Sequence, residues 1–234
     1  MLLSEVFTYL AQGELRNLTL GGDGNGIIPE KHYPTIIGHI NLALTELHTR
    51  FPLKERELMV QQFDELEFYK LSSDYSVSSG TADTLYIIDT EANPFTNDII
   101  RLETAFNEIG EEVPLNDYTD NRSIFTPAYD FVQIPEPVGT NTTVFIYRAN
   151  HTMIPLDTTD PTTVQVDIPY TFLEALMFYV AYRAYSNKSG NEGQAMSSTY
   201  KIKYESACEF LQQHNAANDS YTLLNNKPSM NYWP

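Results

Sequence analysis

The residues best suited by type to chemistry are three histidines, a glycine-rich loop, several carboxylate pairs and one cysteine. His32, His39 and His48 lie on and around one predicted helix, but no two of them stand three or four positions apart, and HExxH is absent. Helical metal ligands need that spacing to share a face, so the expectation is surface or capping histidines. Gly21–Gly26 reads GGDGNG. It lacks the Lys-Ser/Thr of a phosphate-binding loop and follows no strand. Asp23 and Asn25 suit the start of a calcium loop, but the closing glutamate of an EF-hand is missing. No metal and no cofactor is therefore expected.

Carboxylates cluster at Glu55/Glu57, Asp64/Glu65/Glu67 and Glu111/Glu112. Two carboxylates facing a cleft are what a glycosidase uses, so that chemistry is one rival. Nothing in the sequence supplies a companion nucleophile or oxyanion donor, and no GxSxG frame holds a serine. Acidic loops and solvated strand edges are the preferred reading. The single cysteine, Cys208, excludes an intramolecular disulfide. Its place in an amphipathic stretch suits a small buried hydrophobe better than a nucleophile. No catalytic residue is assigned, and the expectation is a protein that is not an enzyme.

The totals narrow the partners. A net charge of −17 over 234 residues argues against a nucleic-acid binder, whose affinity comes mainly from Lys and Arg. It argues equally against docking on anionic membranes. A hydrophobic content of 42% is that of a globular chain able to bury a core. MLLSEVFTYL has no basic region and no cleavage signal, so no secretory signal is expected. Tyr170–Tyr185 is too short to cross a bilayer and carries Glu174 and Arg183. The expectation is a soluble protein.

The elements that would position these residues begin with a predicted helix over Ser4–Leu15, with Ser4 as N-cap. A second helix is expected over Thr35–Arg50, with Ile36, Ile37, Ile40, Leu44 and Leu47 at helical spacing and Phe51–Pro52 ending it. Short β-branched and aromatic runs follow at Leu58–Phe63, Glu67–Leu71 and Thr84–Asp89. Ile99–Ile109 fits either period, and the tight Gly110–Glu112 before Val113–Leu115 favours a β-hairpin. Tyr129–Ile134, Thr143–Ala149 and Thr163–Ile168 are further strand candidates.

Pro169 then suits the first turn of a helix in which Phe172, Leu173, Leu176, Met177, Val180 and Ala184 recur at helical spacing. Tyr179 and Tyr182 cover most of the remaining circumference, and a helix apolar nearly all round is a buried one. Ser186–Gly193 is turn chemistry. A final helix carries Met196, Tyr200, Tyr204, Ala207 and Leu211. The pattern predicts an α+β fold: an antiparallel helical bundle from both chain ends (1–53 and 168–215), with an antiparallel β-sandwich or barrel-like module (54–167) inserted. Residues 216–234 form an extended C-terminal tail.

Two features point to binding. The tail carries Tyr221, Leu223, Leu224, Met230, Tyr232 and Trp233 in a context too polar and Asn-rich to fold alone, and such anchors dominate interface hot spots. The chain also holds 16 tyrosines. Tyr179, Tyr182 and Tyr185 on the central helix suit subunit contacts as well as a core, because tyrosine buries its ring and still reaches a polar partner.

An ordered series of motifs then becomes visible: IIGHINLALTELHTRFPLKERELMV (36–60), FTNDIIRLETAFNEIGEEVPLND (95–117), SIFTPAYDFVQIP (123–135), TVFIYRANHTMI (143–154) and VQVDIPYTFLEALMFYVAYRAYSNKSGNEGQAMSSTYKIKYESACEFLQ (164–212). In this order they resemble the head-to-tail adaptor, or connector, proteins of short-tailed phages. The likeness covers about residues 1–215 and leaves the tail uncovered.

The resemblance implies a structural, non-enzymatic virion protein, made in the host cytoplasm and located at the head-tail junction. Its partners would be the portal protein, the tail tube or nozzle protein, and itself in a ring of about twelve copies through which DNA passes. It implies no sequence-specific nucleic-acid binding and no membrane. Negative charge would keep such a lumen from gripping DNA. The resemblance also makes the aromatic tail an anchor to the portal or a neighbouring subunit. The rivals are a tail tube or nozzle component of the same virion and a non-catalytic receptor- or ligand-binding module.

Overall fold

A computed structural model describes residues 1–214 and 216–217. Among these residues the fold is mixed α+β, with four α-helices and antiparallel sheets. The chain divides into two compact units: Met1–Leu53 with the segment from His151 onward, and Lys54–Asn150. The return to the first unit thus falls at His151 rather than at residue 168, because Ile154 and Val166 pack into the helical core.

In the first unit α1 spans Leu3–Gln12 and α2 spans Tyr33–Arg50. Ser4 is inside α1 instead of capping it. The Leu3 and Ser4 N–H groups donate to the carbonyls of Val164 (2.9 Å) and Pro161 (3.0 Å), and Glu5 accepts from the Leu2 N–H. Those bonds satisfy first-turn donors that a side-chain cap would otherwise meet. They also explain why Thr163–Ile168 is not a ladder strand. Its backbone is spent on the start of α1, with a lone bridge from Gln165 to Leu2. α2 starts ahead of Thr35 because Pro34 fits a first turn, where its missing N–H costs nothing.

A short 3-10 turn at Tyr170–Phe172, with Pro169 in front of it, leads into α3, Leu173–Ser186; α4 covers Asn191–Gln213. Gly190 between them has φ +99°, a conformation that favours glycine. α3 and α4 are held together by aromatic contacts: Tyr185 stacks on Tyr200 at 5.4 Å, and Tyr179 meets Tyr204 edge-on at 5.2 Å. Arg50 at the end of α2 pairs with Glu205 of α4 at 2.7 Å. One core collects Leu3, Leu10, Ile37, Leu44, Leu176 and Val180, all fully buried. Each such side chain contributes about 1.5–3 kcal/mol.

The second unit contains β1 (Glu55–Gln61), β2 (Phe68–Lys70), β3 (Ile87–Ile88), β4 (Ile99–Phe106), β5 (Glu112–Val113), β6 (Phe125–Ala128), β7 (Phe131–Gln133) and β8 (Thr142–Ala149). A five-stranded sheet has the order β3-β1-β8-β4-β5, and a three-stranded sheet has the order β2-β7-β6. β8 alternates cleanly, burying Thr143, Phe145, Tyr147 and Ala149. These meet Leu58, Val60, Tyr69 and Val132, so both sheets feed one core. Ile99–Phe106 is a strand that turns back into β5, as the Gly110–Glu112 signal suggested. Past Val113 the chain bonds elsewhere, with the Ile124 N–H donating to the Pro114 carbonyl at 2.9 Å. Phe125–Ala128 is an edge strand, where the missing donor of Pro127 is tolerated.

Candidate functional site

The carboxylates stand apart from one another in function. Glu55 and Glu57 project from β1 in register with Arg148 and Ile146. Asp64 accepts the Gly139 N–H at 2.6 Å, and Glu111 and Glu112 are exposed at a turn. This unit also holds a half-buried charge centre that the sequence did not mark. Arg56 donates to Asp98 (2.9 Å), Asn93 Oδ1 (2.6 Å) and the Pro94 carbonyl (2.9 Å), while the Tyr147 hydroxyl donates to Asp98 at 2.8 Å. Burial, then the neighbouring Asp98, push the Tyr147 hydroxyl well above the ordinary tyrosine range. Nearby, Asp89 accepts from the Ser78 N–H and hydroxyl and the Phe95 N–H. Against the cost of burial, those donors hold it below the usual carboxylate range. Both constellations have their hydrogen-bonding capacity directed at their own loops, which makes them structural clasps.

The histidines correct the sequence reading. His32 is half-buried, but His39 and His48 are buried, at 8% and 1% exposure. α2 is covered on two sides: by α3, whose Arg183 lies near His39, and by the segment after His151. Burial, and then Arg183, lower the His39 pKa. His48 Nδ1 lies 2.8 Å from the Leu44 carbonyl, and its ring is 5.7 Å from that of His151. Among the described residues no group of three or more His, Cys, Asp or Glu side chains could hold a metal.

Cys208 is fully buried on α4. Burial pushes its thiol up, away from the reactive thiolate, although the Tyr204 hydroxyl and Arg50 pull the other way. In the glycine loop, Gly22, Asp23, Gly24 and Gly26 all have positive φ, so the glycines serve backbone geometry.

The remaining candidates are surfaces. Tyr185 is buried at 5% exposure, inside its own unit, with its hydroxyl 3.4 Å from the Glu14 carbonyl. Tyr179 and Tyr182 are half-buried and meet edge-on at 5.8 Å. The sequence candidates Tyr221, Leu223, Leu224, Met230, Tyr232 and Trp233 lie outside the described residues. Large apolar side chains stay exposed on each unit: Leu42, Met153, Ile202 and Phe210 on the first, and Phe68, Ile109, Tyr118 and Tyr129 on the second. On the five-stranded sheet, Ile88, Met59, Val144 and Phe106 face one another across four strands on the side away from the core. Among the described residues no helix is long and apolar enough to cross a membrane. No protein-family model matches the chain, and no curated protein matches it.

Proposed function

We propose that the chain is a structural adaptor of a short-tailed phage, a copy of a ring of about twelve that joins the portal protein to the tail tube or nozzle. The observation that carries this reading is the insertion of one separately cored β unit into one separately cored helical unit, with large apolar side chains left exposed on both. That organisation suits a protein that must hold different partners by different surfaces. The ordered motifs support it further: 36–60 runs through α2 and β1, 95–117 through β4 and β5, 123–135 through β6 and β7, 143–154 covers most of β8, and 164–212 covers α3 and most of α4.

In this reading the helical unit is an antiparallel bundle, and the β unit is a sandwich-like module. The aromatic tail, Tyr221 to Trp233, anchors to the portal or to the neighbouring copy. Tyr179 and Tyr182 reach the next subunit, and no catalysis is involved. The net charge of −17 lets DNA pass a lumen without being gripped.

Retention of the portal protein by the full chain, together with imaging of the virion neck, tests this. The expected result is portal retention, weakened on deletion of Asn215–Pro234, and a ring at the head-tail junction. Absence of the chain from the neck would overturn the reading. Its presence farther down the tail would favour a tube or nozzle component.

A further inference from the structure

Two exposed patches on different units are each centred on a bare isoleucine and oppose in charge. The first is the turn between β4 and β5. Asn107 Oδ1 accepts the N–H groups of Ile109 (3.2 Å) and Glu111 (2.8 Å), and the Asn107 N–H donates to the Glu111 carbonyl at 2.9 Å. Gly110, at φ +80°, completes this rigid turn. It holds Ile109 out at 71% exposure, with Glu108, Glu111 and Glu112 exposed around it.

The second patch is the outer face of α4. Ile202 is 67% exposed there, flanked by Lys201 and Lys203. The Lys203 ammonium lies 5.1 Å from the Tyr200 ring centroid and 5.5 Å from that of Phe178, and Lys201 lies 6.0 Å from that of Tyr182. Among the described residues neither lysine is ion-paired. In a chain with 14 cationic and 31 acidic side chains, two exposed cations without an ion pair beside a bare isoleucine suit an acidic partner with an apolar centre, and Lys203 also acts at longer range on Glu14. One helical turn away stand Ser198 and Thr199 on one side and Ser206 and Glu205 on the other, the glutamate already paired with Arg50 at 2.7 Å. Glu209, farther toward Phe210, repels carboxylates and so places the seat at the Ile202 end.

We infer that the Ile109 turn of one copy docks beside Ile202 of a second copy, its glutamates facing Lys201 and Lys203. The two patches are different surfaces, so the contact is head-to-tail and propagates around a closed ring or along a filament. Ring closure rests on the adaptor reading; the contact itself does not.

Full-length chain carrying Ile109→Cys and Ile202→Cys, with Cys208→Ser, tests this under mild oxidation. The expected product is a ladder of disulfide-linked oligomers, which either new cysteine alone does not give. Lys201→Glu with Lys203→Glu abolishes the ladder, and adding Glu111→Lys with Glu112→Lys restores it. That restoration also shows that the reversed chain still folds. No ladder, a link within one chain, or a ladder indifferent to charge reversal would overturn the contact. Portal retention, measured separately on the unmodified chain, decides the adaptor reading alone. A ladder without retention leaves the contact standing, and retention without a ladder removes only the contact.

Discussion

The side-chain amide of Asn41 brackets the backbone of Ile154. Its Oδ1 accepts the Ile154 N–H at 3.0 Å, and its Nδ2 donates to the Ile154 carbonyl at 2.9 Å. One buried residue in the middle of α2 thus receives the chain just after it returns from the β unit. His151 reinforces the join, with Nε2 lying 3.1 Å from the Asn41 carbonyl and 3.2 Å from Thr45 Oγ1. Asn41→Leu keeps the approximate volume but strands a buried backbone donor and acceptor. It is expected to cost about 2–4 kcal/mol, read as a fall in urea midpoint, with Asn41→Asp intermediate because one acceptor survives.

In the β unit, Arg56 and Asp98 form an ion pair whose side chains are only 18% and 12% exposed. Arg56→Ala leaves Asp98 buried beside the Tyr147 hydroxyl without its cation. A loss of about 3 kcal/mol is expected. Faster amide exchange from Asn93 to Asp98 should accompany it, because Arg56 also holds Asn93 and the Pro94 carbonyl. Unchanged exchange there would show that the loop is held by other contacts.

His39 gives the helical unit a pH dependence of defined sign. Its pKa is lowered from 6.5 by burial and by Arg183, and its Nε2 has no hydrogen-bond partner among the described residues. The unfolded chain therefore binds the proton first. Its contribution is fully present above about 6.5 and is lost as pH falls through that value toward the folded one. Denaturation midpoints from about pH 7.5 to about pH 5 should fall for the native chain and fall less for His39→Leu.

Cys208 should be inert in the folded protein. Its side chain is fully buried, and burial keeps it as the thiol. A thiol reagent is expected to titrate almost nothing under native conditions and one thiol per chain in denaturant. Rapid native labelling would show that the α3–α4 hairpin opens readily.

The parts of this fold legible in the sequence are those set by a short-range period. The helical stripe of Ile36, Ile40, Leu44 and Leu47 needs no knowledge of what lies opposite, because any core selects the same face, and the β-branched and aromatic run Thr143–Ala149 reads as a strand on composition alone. The turn at Asn107–Glu111 is equally local, since its glycine and its Asn cap are neighbours in the chain. The K-I-K and E-I-G-E-E strings of the two inferred contact patches were readable too, but nothing local says that their isoleucines stay bare.

What only the tertiary structure decided concerns groups whose partners are distant in sequence. Thr163–Ile168 has the composition of a strand, yet its region supplies carbonyls to the start of α1, a demand set at the other end of the chain. His39 sits where a helix with one buried face would leave it wet, and it is buried because α3 brings Arg183 to that side, while His48, four residues after Leu44, borders the stripe and meets His151. Local propensity determines which segments are helix and which are strand. The competition of unpaired backbone groups for partners, settled only on packing, determines which faces close and which remain open.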